Sequence, residues 1–396
     1  MFRAAIALTL ASVAAAQFRV SVSVSPFTES VLARGVTFTD GAITASTLED
    51  LQRLFVKYGA TEVYARIATS TVARQGPADH SLARGLDRAR LAAKLGLPFN
   101  PELGLFDVYG DVRCQPPPDP SIGSDAASLR AYGARVAREI PATGAKVNVW
   151  DIGNEVEFGI AGVAVRPQPG ACDDTAGGPG WYRAPDRVDP EIGRQSVDSL
   201  MRMSEAKRIA WLQAHLWPHE AKLLAAVAEG VRSVDPRAKF STHISGISAT
   251  RPAQAVAFFQ AMRKGGYSPD ELGLSYYPSS TGGPLTAFQE TVTELHEKLG
   301  RPVFVAEFGY PSRPMDAGPF RSWSHALAGY PLTPEGQAAL VRDLAAWGRA
   351  HGLSGMRPWA PDLVGPGWAP MAWFTNGAKG ALANPVLTGR FLVEAR

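Results

Sequence analysis

Two glutamates stand where an apolar strand would not place them. The run VNVWDIGNEVEFG, Val147 to Gly159, is largely apolar until it breaks into Gly153-Asn154-Glu155. The run PVFVAEFG, 302–309, carries Glu307 near its end in the same way. Two carboxylates raised on separate strands suit cleavage of a glycosidic bond. One protonates the leaving oxygen; the other attacks the anomeric carbon, or activates water against it. Asn154 suits a hydrogen bond to a sugar hydroxyl. Glu155 is expected as the acid/base, held protonated near neutral pH by partial burial and the like charge of Glu307. Glu307, as nucleophile, needs help to stay ionised, and Arg66 and a tyrosine hydroxyl can give it by charge and hydrogen bonding. Glu157 is an alternative acid, but it falls past the strand end.

Such groups need elements to aim them. Short apolar or β-branched runs recur at 19–25, 61–68, 103–109, 146–153, 238–245, 272–278, 302–309 and 354–361. Helical stretches lie between them, several opening at Ser, Thr, Asp or Pro and several closing at Gly. In TLEDLQRLFVKYG, Leu48, Leu51, Leu54 and Phe55 share one face. Eight strands alternating with helices predict an α/β fold of the (β/α)8 barrel type with extended loops. The rival is an open doubly wound sheet, but the first strand runs into PFTESVLARG with no GxGxxG. Residues 157–206 are too long and too rich in Pro and Gly for a simple turn, and read as a loop insertion over the active face.

In such a barrel the chemistry sits at the C-terminal strand ends. Strand two carries Arg66, also readable as a structural salt bridge. Strand three carries Asp107, Tyr109 and Asp111, and strand four Asn154 and Glu155. Strand five gives His243, either near substrate or buried behind it. Strand six gives Ser275, Tyr276 and Tyr277; strand seven gives Glu307; strand eight gives Trp359, a core residue or a sugar-stacking platform.

Bulk properties narrow the class further. The net charge of +3 is scattered, which argues against nucleic acid. Residues 1–16 carry Arg3, a short apolar stretch and Ala14-Ala15-Ala16, and read as a signal peptide rather than a membrane span. The expectation is a secreted, extracellular or periplasmic monomer, with residues 17–396 as one catalytic domain. Cys114 and Cys172 are a candidate disulfide in an exported chain. No HExxH, GxSxG or Cys/His metal pattern occurs. No cofactor and no metal are expected.

The chain resembles clan A glycoside hydrolases, and most closely family 53, the endo-β-1,4-galactanases acting on galactan and arabinogalactan. The matching stretches are RGVTFTDGA (34–42), DIGNE (151–155), LGLSYYP (272–278), VFVAEFGYP (303–311), YPLTPEGQAALVRDL (330–344) and AWFTNGAKGALANPVL (372–387). The resemblance implies Glu155 as acid/base, Glu307 as nucleophile, Arg66 beside the nucleophile and Trp359 under the scissile sugar. It places the tyrosine that bonds the nucleophile at Tyr276 or Tyr277, and strand alternation favours Tyr277, which shares a face with Ser275. It further implies retention, with the carboxyl groups about 5–5.5 Å apart. The chain departs from the family at RIATSTVARQG after strand two and at DVYGD on strand three, where Tyr109 stands in for a histidine. The loop after strand seven carries one acid, Asp316, too few oxygens for calcium. The expected substrate is a β-linked polysaccharide or oligosaccharide. The alternatives are an exo-acting or transglycosylating clan A enzyme on another β-glycan, and a barrel that binds glycans without cleaving them.

Overall fold

The computed structural model describes residues 18–67, 80–105, 126–160, 163–165, 188–281, 283–377, 380–384 and 386. Residues 1–16, Asp107, Tyr109, Asp111, Cys114, Cys172 and 166–187 of the insertion lie outside them.

Eight parallel strands build the barrel: β1 (Arg19–Val20), β2 (Val63–Ile67), β3 (Pro98–Leu103), β4 (Trp150–Ile152), β5 (Phe240–Ile244), β6 (Glu271–Tyr276), β7 (Val303–Phe308) and β8 (Leu353–Pro358). Each pairs with its sequence neighbour from β2 to β8, and β8 pairs with β1. The ring closes between β1 and β2 through a Ser21–Glu62 bridge, with Thr61 N–H donating to Val20 O at 2.9 Å. The fold is a (β/α)8 barrel.

Among the described residues, the helices that cover it are α1 (Leu48–Lys57), α2 (Leu82–Leu95), α3 (Ala126–Glu139), α4 (Trp217–Arg232), α5 (Pro252–Lys264), α6 (Leu285–Leu299) and α7 (Pro334–Ala350). Their limits follow their caps. Thr47 and Asp50 form a reciprocal capping box at α1, while Gly96 and Gly300 end α2 and α6 in left-handed conformation. Leu51, Leu54 and Phe55 of α1 are buried as their spacing requires. The apolar core lies between strands and helices.

Three elements differ from the sequence reading. The third strand runs over Pro98–Leu103, ahead of the expected 103–109, of which 106–109 lie outside the described residues. Its PFNPEL sequence hides a strand, because two prolines interrupt it and Asn100 and Glu102 are polar yet fully buried. The first strand keeps only Arg19–Val20 and the Ser21 bridge of the expected 19–25. The insertion, where described, is ordered: Gly159–Ile160 and Val163–Ala164 pair as a hairpin, and helices Pro190–Arg194, Val197–Met201 and Glu205–His215 follow. The last of these packs on α4 and α5.

Candidate active site

Three non-glycine residues adopt positive φ among the described residues: Leu105 (59°), Glu155 (47°) and Ala360 (45°). They lie just beyond β3, β4 and β8, at the barrel mouth. The left-handed region costs an ordinary residue roughly 1–2 kcal/mol, and such residues cluster at functional sites. At β4 the turn starts on Gly153 with φ 86°, where a Cβ would sit 2.2 Å from Val156 Cγ1. Glycine there lets the chain turn, and Glu155 follows in the same left-handed region.

Glu307 ends β7 and is 6% exposed. One carboxylate oxygen accepts from Arg66 Nη2, the other from the Tyr277 hydroxyl at 2.7 Å. Burial and the Glu307 charge hold the Tyr277 hydroxyl well above its ordinary pKa, so it stays a donor. Gly309 makes room for this ring, since a Cβ there would meet Tyr277 Cε1 at 2.9 Å. Arg66 is shared three ways. Its Nε donates to Glu102 at 2.5 Å, and Nη2 also donates to Asn154 Oδ1 at 2.7 Å. The same Oδ1 lies 3.2 Å from His243 Nε2. Two cations on the oxygen fix the Asn154 amide, which leaves its NH2 to turn away from them.

Below this shell the interior is ionic. His243 Nδ1 lies 3.2 Å from Asp151. Burial disfavours the imidazolium, but Asp151 outweighs it and raises the His243 pKa to about 9. Arg357, fully buried on β8, donates to Glu102 at 2.9 Å, Asp151 at 3.0 Å and Asn100 at 2.5 Å, over the Tyr64 ring. Three cations (Arg66, Arg357, His243) thus face three carboxylates (Glu102, Asp151, Glu307).

Glu155 is a fourth carboxyl beside this balanced set. Burial pushes its pKa up to about 8, with the Glu307 charge and then the Glu157 charge adding to the effect. The two carboxyls thus differ in setting: Glu155 is buried and raised, while Glu307 accepts from a cation and a hydroxyl. Glu102, His243 and Glu307 offer ligand atoms within 4.8 Å of one another, the geometry of a metal cluster. Arg66 already bonds both of those carboxylates, and His243 is held as a cation, so these donors fit an ion poorly.

The structure brings Arg66, Asn154, Tyr277 and Glu307 together, with Glu155 beside them. Trp359 follows β8, partly exposed, with its indole edge-on to Trp368 at 4.6 Å. With Arg66, Tyr64 and His80 it lines a small pocket of about 40 Å³, of which neither Glu155 nor Glu307 forms a wall. Two expectations are corrected. Tyr276 does not face the mouth: it is 1% exposed and stacks on Phe288 of α6 at 4.0 Å, because alternation turns it outward. His243 is 0% exposed and acts behind Asn154, out of reach of a ligand. Sequence reasoning missed Glu102, Asp151, Arg357 and Asn100. An arginine inside the apolar SGMRPWAP strand was the available signal for Arg357.

Residues 191–377 match the model of Glycosyl hydrolase family 53, a span holding Tyr277, Glu307 and Trp359 but neither Arg66 nor Glu155. An arabinogalactan endo-β-1,4-galactanase of Cellvibrio japonicus is 25% identical over 183 residues, 43% of this chain and 48% of that protein. An uncharacterised Niallia circulans protein is 28% identical over 177 residues, 43% of this chain and 44% of that one. The matches thus span under half the length of these curated relatives. The Ignisphaera aggregans GH53 catalytic domain shares the fold with TM-score 0.68 and 18% identity, covering 96% of both chains. A fungal β-1,4-galactanase does so with TM-score 0.68 and 16% identity, over 95% of this chain and 100% of its own. The fold is the barrel fold of these galactanases, and residues 191–377 are similar to glycosyl hydrolase family 53.

Proposed function

We propose that the chain is a retaining glycosidase that cleaves β-1,4-galactan or arabinogalactan within the polymer. The observation that carries the reading is the split between its two carboxyls: Glu307 bonded by Arg66 and Tyr277, Glu155 pushed up to about 8. Glu307 attacks the anomeric carbon as Glu155 gives its proton to the departing glycosidic oxygen. The glycosyl ester that forms carries no charge on Glu307. One of the causes that kept Glu155 protonated disappears with that charge, so Glu155 turns into the base that takes a proton from water. Water then opens the ester, and configuration is retained. The NH2 of Asn154 reaches a sugar hydroxyl, and Trp359 offers a ring face to the sugar. Galactan is favoured because the Cellvibrio japonicus relative is named for that activity. The same reading takes 17–396 as one catalytic domain exported behind residues 1–16.

The test is release of reducing ends from debranched β-1,4-galactan, beside β-mannan, β-glucan and xylan, with Glu155→Gln as control. Mixed oligosaccharides from galactan, lost in the variant, are the expected result. Activity confined to another glycan refutes galactan and leaves the mechanism. A single small product from the first minutes refutes internal cleavage.

A further inference from the structure

Glu157 sits two residues beyond the acid, is 0% exposed, and takes no part in the chemistry above. Its carboxylate accepts from Ser245 N–H at 2.9 Å, from the Ser245 hydroxyl, and from the Ser248 hydroxyl at 2.8 Å. Its own carbonyl accepts from Trp217 Nε1 at 3.1 Å. The direction of these bonds is fixed by what lies behind them. Ser245 Oγ accepts from Ile247 N–H at 3.2 Å, so its one proton points to Glu157. Ser248 Oγ accepts from Gln254 Nε2 at 2.7 Å, so its proton also points to Glu157. Gln254 is oriented in turn, because its Oε1 accepts from Arg208 Nε at 2.6 Å. Arg208 lies on helix Glu205–His215, which begins at the end of the insertion and anchors it, is 3% exposed, and donates also to Met203 O at 3.3 Å. A one-way chain of buried hydrogen bonds therefore runs from a cation on the helix that anchors the insertion to an anion beside the acid/base turn.

We propose that Glu157 is the positioning residue of Glu155, and that the Arg208–Gln254–Ser248 chain lets the insertion set the acid's place and protonation. The inference rests on Glu155 being the acid. A left-handed Glu155 persists only if its surroundings over-determine it, and Glu157 pins the very next turn at side chain and carbonyl. The charged groups around Glu157 sort by sign. Glu155 on its own segment and Glu220 on α4 are like-charged when ionised; Glu220 is fully buried, neither of its oxygens has a partner, and burial followed by Glu157 holds it well above its ordinary pKa. Glu307 on β7 lies across the site, and His243 on β5 bears on Glu155 with the opposite sign. Arg208 is the cation at the chain's far end, with Arg251 and Glu205 beside it. Burial raises Glu157 itself, with the Ser245 and Ser248 donors opposing.

The test compares wild type, Glu157→Gln, Ser248→Ala, Arg208→Leu and Arg208→Lys. Each is assayed on debranched galactan and on an aryl galactoside whose leaving group needs no proton, from pH 5 to 10, after a thermal melt confirms folding. On galactan, Glu157→Gln is expected to lose roughly 10- to 100-fold in kcat and to move the alkaline limb to lower pH, since a like charge has gone. The aryl substrate is expected to lose far less in kcat/KM. Arg208→Leu and Ser248→Ala should show the same selective loss on galactan in weaker form, with the limb of Arg208→Leu moved to higher pH because a cation has gone, and Arg208→Lys, which keeps the cation and a donor to Gln254, should restore wild-type behaviour. A purely structural role would cut both substrates alike and leave the limb in place, and that result overturns the proposal even if only Ser248→Ala and the Arg208 variants fold. Wild-type silence on both substrates overturns the glycosidase reading and this inference with it; wild-type turnover with unmoved variants overturns this inference alone.

Discussion

On the proposed mechanism the proton on Glu155 is worth most on the polymer, where the departing sugar oxygen is a poor leaving group. With its pKa at about 8, roughly nine-tenths of the acid is protonated at pH 7. At an ordinary glutamate value only about 0.3% would be. The environment of β4's end therefore raises the working form about 300-fold at neutral pH. The expected kcat/KM on galactan is level up to about pH 8 and falls about tenfold per pH unit beyond it. Glu155→Gln should erase that limb, with most of the rate lost on the polymer. On a dinitrophenyl glycoside the same variant should still form the glycosyl ester, then stall for want of a base. Added azide should attack that ester and give a glycosyl azide of retained configuration. An alkaline limb below pH 6, or one that survives in Glu155→Gln, refutes the assignment of Glu155 as the buried acid.

Other expectations follow from the same interior. Glu307→Ala should abolish turnover while the fold persists, and azide should then restore cleavage with inverted product, read by NMR of the anomeric proton; a near-wild-type rate refutes the nucleophile. Arg357→Met removes a buried cation from Glu102, Asp151 and Asn100. Urea unfolding at pH 7 should show a loss of about 3–5 kcal/mol, and a loss below about 1 kcal/mol would show the network tolerates the vacancy. Asp362 is fully buried with one oxygen unpartnered, and burial raises its pKa to about 6 against the Ser25 and Thr28 bonds. A raised carboxyl destabilises the fold above its folded pKa and not below its unfolded one. Asp362→Asn should gain stability relative to wild type between pH 4 and pH 8, by up to about 3 kcal/mol; a pH-independent difference refutes the shift.

The outer layer of this barrel was legible because its rules are local. Leu51, Leu54 and Phe55 share a helical face, and Thr47, Gly96 and Gly300 punctuate, whatever the strands contain. Glu155 and Glu307 were legible for the opposite reason: each breaks an apolar run at the place a barrel exposes. The third strand was not, because its signal depends on partners distant in sequence. Pro101 lies opposite Ala65, and Asn100 Nδ2 donates to Val149 O at 2.8 Å beside the short β4. Glu102 is tolerable inside only because Arg66 and Arg357 arrive from strands 36 and 255 residues away in sequence. Tyr276 and Tyr277 were separable by alternation alone, and the structure puts each on the face that alternation gives it.

A barrel interior is ordinarily packed with branched aliphatic side chains, and replacing such packing by buried ion pairs is often destabilising. Here Arg66, Glu102, Asp151, His243, Glu307 and Arg357 occupy that interior, all but Arg66 below 9% exposure. The arrangement is explained by what each group does for the two carboxyls above. Arg357 and Asp151 hold Glu102 and His243; these hold Arg66 and Asn154; Arg66 holds Glu307. Each carboxylate is matched by a cation, so the set is near neutral only while Glu155 keeps its proton. A fourth anion would have no partner in the interior, and the site raises the Glu155 pKa accordingly. On the proposed mechanism the same balance gives the return step, because ester formation at Glu307 would remove one anion and leave room for Glu155 to take its place.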